Sequence, residues 1–540
     1  MNSFVFPNGG AHRARRFFSP ALLFLLLLVG ASRLFAGGVT YIDGIFFPSE
    51  DGTEISANVF IPEEDDANAQ FPAIIFVNSW ALENHEYIVQ AAKFAHDGYI
   101  VLSYSSRGWG FSGGQVNVAG PKDMEDLSAA VDWLEDHTPV DAANIGISGI
   151  SYGGGISLLG LAQEPRLKTA VAMSSWADLR ESLFANETPR LVWGGILVGS
   201  GYLTGNMDPI ILEMYTNVLT NRNIPATLEW AAGRSPITYI DRINAKGAPV
   251  YISQNFGDEL FQPNSLIDFY QRLETPKRLD LSPGIHATAE LGGLIGISNF
   301  IWDNAHDWFD HWLKGEDNGV MDRPPVSMVV KNTDIREHYA AWPTGPAEEE
   351  LFYMGPRGTF SNGSLRDNPN GTTRTNTIYS GILSGATTGL PVISPIFEAH
   401  LEIPILTWVP GINRFLATVY ESGWLDEELA IRGIAELDIW IRPSKSQAQL
   451  VAHLYDMDWT GTGKLISHGP ITLHDAVPGE DIRVTIPFVA TAYDVPDGHK
   501  LVVAIDTYDP QYGPPTLSSF KVRFPHNASR QSVLSIPLVD

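Results

Sequence analysis

Between residues 72 and 173 two patterns alternate, and few folds accept that alternation. Short apolar runs at 73–77, 99–104, 144–148 and 167–173 have the character of strands buried on both faces. Between them, 86–96 and 122–136 have helical spacing; in the second, Met124, Leu127, Val131 and Leu134 fall three and four apart. After the third run Ile156, Leu158, Leu159 and Leu161 continue as a helix. Strand followed by helix, repeated, predicts a parallel sheet covered on both faces, an α/β fold. Two strands at 40–62, turned at Asp51-Gly52, precede it. The alternation breaks at 174–240, a stretch rich in Trp, Leu and Pro that suggests a helical insertion over the sheet. It resumes with strands at 248–254 and 278–282 and a helix carrying Trp308, Phe309, Trp312 and Leu313, which stops at Gly315.

From 326 onward the chain is strand-like. Ile482, Val484, Ile486 and Phe488 alternate with other residues, as do Leu501, Val503 and Ile505, which predicts an antiparallel sandwich. The expected layout is therefore a core at 37–173 and 241–325, a cap at 174–240 and a β domain at 326–540. A chain of 540 residues exceeds what one core usually holds.

The formal net charge is −27, spread without a long acidic block, so nucleic acid and anionic membranes are poor partners. There is no cysteine, which excludes disulfides and thiolate metal sites. Arg13, Arg15 and Arg16 precede the apolar run ALLFLLLLVG at 21–30, and Ala31 and Ala36 follow as possible cleavage points. The run is short for a bilayer span, so residues 1–36 are expected to be an export signal, directing a bacterial chain to the periplasm or the medium. An uncleaved anchor is the alternative. Removal would take four arginines and no acid, leaving −31.

The third buried strand runs into Gly149-Ile150-Ser151-Tyr152-Gly153 and then into a helix. In that setting the pattern G-x-S-x-G has a physical meaning. The turn is so sharp that only glycine avoids collision on either side of the serine, whose hydroxyl is left exposed at a helix N-terminus. A serine becomes a nucleophile when a histidine takes its proton and an acid orients the histidine. In this architecture the acid and the histidine follow in that order on later loops. Asp258 follows the strand at 248–254, and His286 follows the strand at 278–282. Glu259 is the competing acid.

Two other patterns are weaker. Gly108-Trp109-Gly110-Phe111-Ser112-Gly113 matches G-x-G-x-x-G, but Gly114, Gly120 and Pro121 oppose the helix that a dinucleotide site needs. His85-Glu86 begins H-E-x-x-H, yet position 89 is Val. No metal or cofactor is expected.

Several segments together resemble a known family. Arg107-Gly108-Trp109-Gly110-Phe111-Ser112-Gly113, the elbow at 149–153, Arg234-Ser235-Pro236 and the stretch 308–315 are similar to signatures of the cocaine esterase and X-Pro dipeptidyl-peptidase hydrolases. The resemblance implies an α/β-hydrolase core, an inserted helical cap and a C-terminal jelly roll. It implies a triad of Ser151, Asp258 and His286, with the Tyr152 backbone N–H in the oxyanion hole. Similar enzymes carry N-P-Y after the first core strand, and the tyrosine hydroxyl helps bind the oxyanion; here the stretch is Asn78-Ser79-Trp80. Either the Trp80 indole N–H replaces that hydroxyl, or Trp80 lines the acyl pocket and a backbone N–H of 78–81 is the second donor. An exported acyl esterase is the expected activity, with a small ester or short peptide as substrate. An X-Pro dipeptidyl-peptidase is the alternative; it would need cap carboxylates, from Glu181, Glu187 or Asp208, to hold a free amine. A non-catalytic extracellular binding protein is the reading from another class.

Overall fold

The computed structural model describes residues 38–333, 335–342 and 349–539; the expected signal at 1–36 lies outside the described residues. Strands β1 (Val39–Pro48) and β2 (Glu54–Pro62) form a hairpin. Six strands follow: β3 (Phe71–Val77), β4 (Ile100–Tyr104), β5 (Val140–Ile150), β6 (Leu167–Met173), β7 (Val250–Asn255) and β8 (Lys277–Ser282). In space they run β1-β2-β4-β3-β5-β6-β7-β8, parallel from β4 to β8.

The continuous apolar runs have a direct cause. In β3, Ala73, Ile75 and Val77 enter a core shared with Leu127, Val131 and Leu159. Ile74 and Phe76 point the other way, into a core with Phe94, Trp302 and Ala305. A strand with helices on both faces has no solvent side on which to place polar residues.

The sheet does not stop at 325. β9 (Val326–Val329) pairs parallel with β8, and β10 (Arg336–Tyr339) pairs antiparallel with β9. The domain boundary expected at 326 therefore moves past Tyr339. Four-residue strands look alike in sequence whether they finish one sheet or start another, so the pattern does not separate them.

The insertion between β6 and β7 is helical, as its spacing suggests. Its main helices are Leu179–Phe184, Leu191–Thr204, Pro209–Thr220 and Ile224–Ala232. The C-terminal domain is a β-sandwich. At its centre Ala448–Met457 lies antiparallel between Thr462–Leu473 and Lys500–Asp506. Leu501, Val503 and Ile505 face one core, but Val502 and Ala504 are buried as well, against Val409, Ala417 and Val419. The inner strand is thus covered twice, because the segment 405–419 closes over its second face.

The two domains share buried surface. Ala490 and Ala492 of the sandwich belong to the apolar core of the hydrolase sheet. Asn264 donates to the Phe488 carbonyl at 2.8 Å and accepts from the Ala490 N–H at 2.9 Å. A chain ending at residue 340 would expose this apolar seam and is expected to aggregate on expression. A soluble truncation with native circular dichroism and full activity would show the domains to be independent.

Candidate active site

The site lies at the C-terminal edge of the parallel strands, where β5, β7 and β8 deliver one loop each. Ser151 follows β5 and precedes the helix Tyr152–Gln163. Its φ of 59° and ψ of −116° are strained for a residue with a side chain. The flanking glycines explain how that conformation survives. A Cβ on Gly153 would stand 2.0 Å from the Val77 carbonyl oxygen, and one on Gly149 would meet the Gly153 backbone at 2.6 Å. Met173 C=O accepts the Ser151 N–H at 2.8 Å, tying the elbow to β6. Tyr152 is the first helical residue, so its own N–H has no preceding turn to bond. Its side chain is fixed sideways: the hydroxyl accepts from Ala119 N–H at 3.1 Å and donates to Asp123 at 3.2 Å. Burial, aided by neighbouring Asp126, pushes the Asp123 carboxyl up to about 7.

The structure brings Ser151, Asp258 and His286 together. His286 Nε2 lies 2.7 Å from Ser151 Oγ, and His286 Nδ1 lies 2.8 Å from Asp258 Oδ2. Asp258 is fully buried, and its second oxygen accepts the N–H groups of Leu260 and Phe261, both at 2.9 Å. A carboxylate held by its own loop and accepting from Nδ1 leaves Nε2 as the acceptor for the serine proton. The imidazole ring is packed edge-on between Phe261 and Trp193. Burial works against its charged form, but Asp258 outweighs it, and the pKa of His286 lies above the ordinary value.

Glu259 points elsewhere. Its carboxylate lies 3.5 Å from His468 and 3.8 Å from Arg190. Burial raises its pKa, yet His468 and Arg190 hold it below the usual glutamate range. It joins the cap and the sandwich to the catalytic loop.

The Trp80 indole N–H donates to the Leu197 carbonyl of the cap at 3.0 Å, while its ring packs edge-on against Tyr152. The turn that carries it is closed by Leu82 N–H on Ser79 C=O at 3.1 Å, with Ala81 at φ 67°. Two carboxyls buried beside these loops, Glu86 and Glu290, have no part in the sequence-based triad; Glu86 figures there only as half of an incomplete H-E-x-x-H. Glu290 accepts from Ser253 at 2.5 Å and Ser174 at 3.1 Å, and Ser174 Oγ accepts the Ala287 N–H, so the histidine loop is tied to β6 and β7. Neither pattern nor spacing points to these roles, and only the hydrogen bonds reveal them.

The motif residues 107–113 have a structural part. Arg107 is buried and forms a two-point ion pair with Asp126 at 2.8 and 2.6 Å. Trp109 packs against Trp80 with ring centroids 4.8 Å apart.

A cavity of about 730 Å³, its mouth included, opens at Ser151 under the cap. Trp176, Leu183, Leu197, Ile211, Trp230 and Phe261 are among its lining, and among the described residues no charged side chain is.

A nucleophile elbow, a histidine in contact with it and a buried acid behind that histidine, on this sheet, define a serine hydrolase of the α/β-hydrolase class. The model for the X-Pro dipeptidyl-peptidase (S15 family) matches residues 51–288, and that for the X-Pro dipeptidyl-peptidase C-terminal non-catalytic domain matches 318–529. The chain belongs to this S15 family of serine hydrolases. The cocaine esterase of Rhodococcus is 21% identical over 88% of this chain and 92% of its own. A Streptomyces avermitilis protein with the provisional name Xaa-Pro dipeptidyl-peptidase is 22% identical over 79% of this chain and 70% of its own. A CocE/NonD family hydrolase from Staphylococcus aureus, 13% identical, has the same fold, with a TM-score of 0.72 over 94% of this chain and 98% of its own.

The geometry predicts a pH profile. Only the neutral imidazole can take the serine proton, and Asp258 favours the charged one. The acid limb of kcat/KM should therefore lie above the ordinary histidine value of about 6.5. Asp258→Asn should move that limb down and lower kcat by about 10⁴-fold. An unmoved limb and a near-normal rate in that variant would exclude Asp258 as the orienting acid.

Proposed function

We propose that the chain is an exported carboxylic ester hydrolase selective for esters with a bulky apolar acyl group. The observation that carries the substrate class is the cavity at Ser151, which is lined by indole, phenyl and aliphatic groups and, among the described residues, by no charged side chain. An X-Pro dipeptidyl-peptidase must hold the protonated amine of its substrate, and an ammonium buried without a counter-charge costs several kcal/mol. The three cap carboxylates that could supply one are absent from the lining: Glu181 and Glu187 are exposed, and Asp208 caps the helix Pro209–Thr220 through the Ile210 N–H. Export rests on the Arg13–Gly30 pattern.

In the reaction His286 Nε2 takes the Ser151 proton as Oγ attacks the ester carbonyl carbon. Charge then develops on the carbonyl oxygen. The Tyr152 N–H at the head of its helix is one donor for it. Trp80 has its indole engaged with Leu197 and the Ser79 N–H is held by Glu86, so the second donor is assigned to the backbone N–H of Trp80 or Ala81. The imidazolium returns its proton to the leaving alkoxide, releasing the alcohol. A water, deprotonated by His286, then attacks the acyl carbon, and Ser151 Oγ leaves with the proton returned by the imidazolium as the acid product is released.

The relatives' names divide between esterase and dipeptidyl-peptidase, and one comparison separates those readings. A p-nitrophenyl ester of a medium-chain acid should be turned over with a kcat/KM at least about a hundredfold above that for Ala-Pro-p-nitroanilide, as expected if the site leaves an ammonium unpaired. Comparable rates on the anilide, lost when its amine is acetylated, would reverse the assignment.

A further inference from the structure

Ser79 stands in a buried turn where a proline would leave less to satisfy. Proline fixes φ and has no N–H to satisfy. Serine frees φ and brings an N–H and a hydroxyl, both of which must find partners when buried. One side chain supplies both. Glu86 Oε2 accepts the Ser79 N–H at 2.6 Å, and Glu86 Oε1 lies 2.6 Å from Ser79 Oγ. Ser79 Oγ also lies 3.0 Å from the carbonyl oxygen of Ile150, the residue before the nucleophile. The N–H of Ile150 donates to the hydroxyl of Tyr87, next to Glu86, at 2.8 Å. Both polar groups of Ile150 are thus bound to the 79–87 segment. The turn itself is closed from below by Asn78, whose amide donates to the carbonyls of Ser79 and Leu82 at 2.9 and 3.0 Å.

We infer that Glu86, acting through Ser79, is the positioning residue that holds the oxyanion-binding turn against the nucleophile strand. This rests on the hydrolase reading above, in which that turn supplies a backbone donor. The proton count sharpens the inference. A hydroxyl has one hydrogen, so Ser79 Oγ cannot donate to Glu86 and to Ile150 at once. Both contacts are hydrogen bonds only when Glu86 carries a proton and donates it to Ser79 Oγ, which in turn donates to the Ile150 carbonyl. The surroundings favour that state: Glu86 is 5% exposed, and burial, partly offset by the Ser79 hydroxyl and N–H, pushes its carboxyl up to about 7. A neutral acid also explains how a carboxyl sits beneath the site with no cation among the described residues acting on it, since an ionised one there would be costly. A glutamine would reproduce this neutral form, its amide donating to Ser79 Oγ while its oxygen accepts the Ser79 N–H.

The test compares Glu86→Ala, Glu86→Gln and Ser79→Ala on the p-nitrophenyl ester, with fluorophosphonate labelling and melting temperature measured for each. Deleting an oxyanion donor outright costs about 10²–10³ in kcat, and loosening its turn should cost less. Glu86→Ala and Ser79→Ala are expected to lower kcat by about ten- to a hundredfold with KM changed by less than about threefold, and to weaken a boronic acid inhibitor in parallel. Glu86→Gln is expected to recover kcat to within about threefold. If Glu86→Ala does not fold, Ser79→Ala carries the same prediction, since it removes a single oxygen. Folded alanine variants with wild-type kcat, a loss confined to KM, or a glutamine variant as impaired as the alanine one would overturn the inference. Wild-type protein that fluorophosphonate fails to label would instead bring down the hydrolase reading, and this assignment with it.

Discussion

A serine at φ 59° between a strand and a helix is a conformation its own tripeptide opposes, and everything at this site depends on keeping it there. Gly149 and Gly153 remove the collisions. The Ser151 N–H on Met173 anchors the elbow to β6, and the bonds from Ile150 anchor it to the 79–87 segment. The hydroxyl then projects from the C-terminal edge of the sheet, where two neighbouring strands deliver a histidine and an acid. None of these parts has a use without the strained serine.

The chemistry requires more than three residues in contact. Asp258 keeps its place because its own loop donates two N–H groups to it. The next residue, Glu259, is drawn the other way by Arg190 of the cap and His468 of the sandwich. Arg190 lies over the Tyr512 ring, and His468 reaches the Tyr512 hydroxyl at 2.7 Å. Cap, catalytic loop and β domain therefore meet at one buried cluster beside the acid. This gives the C-terminal domain a physical part in the site although it contributes no side chain to the triad geometry.

The parts that sequence made legible share a feature: each is a local pattern with a long-range meaning. The double-faced burial of β3 and β5 produces continuous apolar runs, and the elbow produces G-x-S-x-G. Asp258 and His286 were readable because parallel strands place their following loops on one edge. What remained hidden depends on partners far apart in the chain. β9 and β10 gave no sign of which sheet they join, since strands of four residues carry too little pattern. The second covered face of Lys500–Asp506 depends on a segment some ninety residues earlier. Glu86 and Glu290 act through partners that no local pattern names, and the Leu197 carbonyl that takes the Trp80 indole N–H lies over a hundred residues further along the chain.

The central claim is that Ser151 is activated by His286 within this elbow, and a covalent probe tests it most directly. The full chain would be treated with a fluorophosphonate, digested, and the adduct located by mass spectrometry, alongside the His286→Ala variant. The account predicts a single adduct on Ser151, with ester turnover lost in proportion to labelling. It predicts at least about a hundredfold slower labelling without His286. An adduct on another serine, or equally fast labelling of Ser151 in the variant, would contradict it.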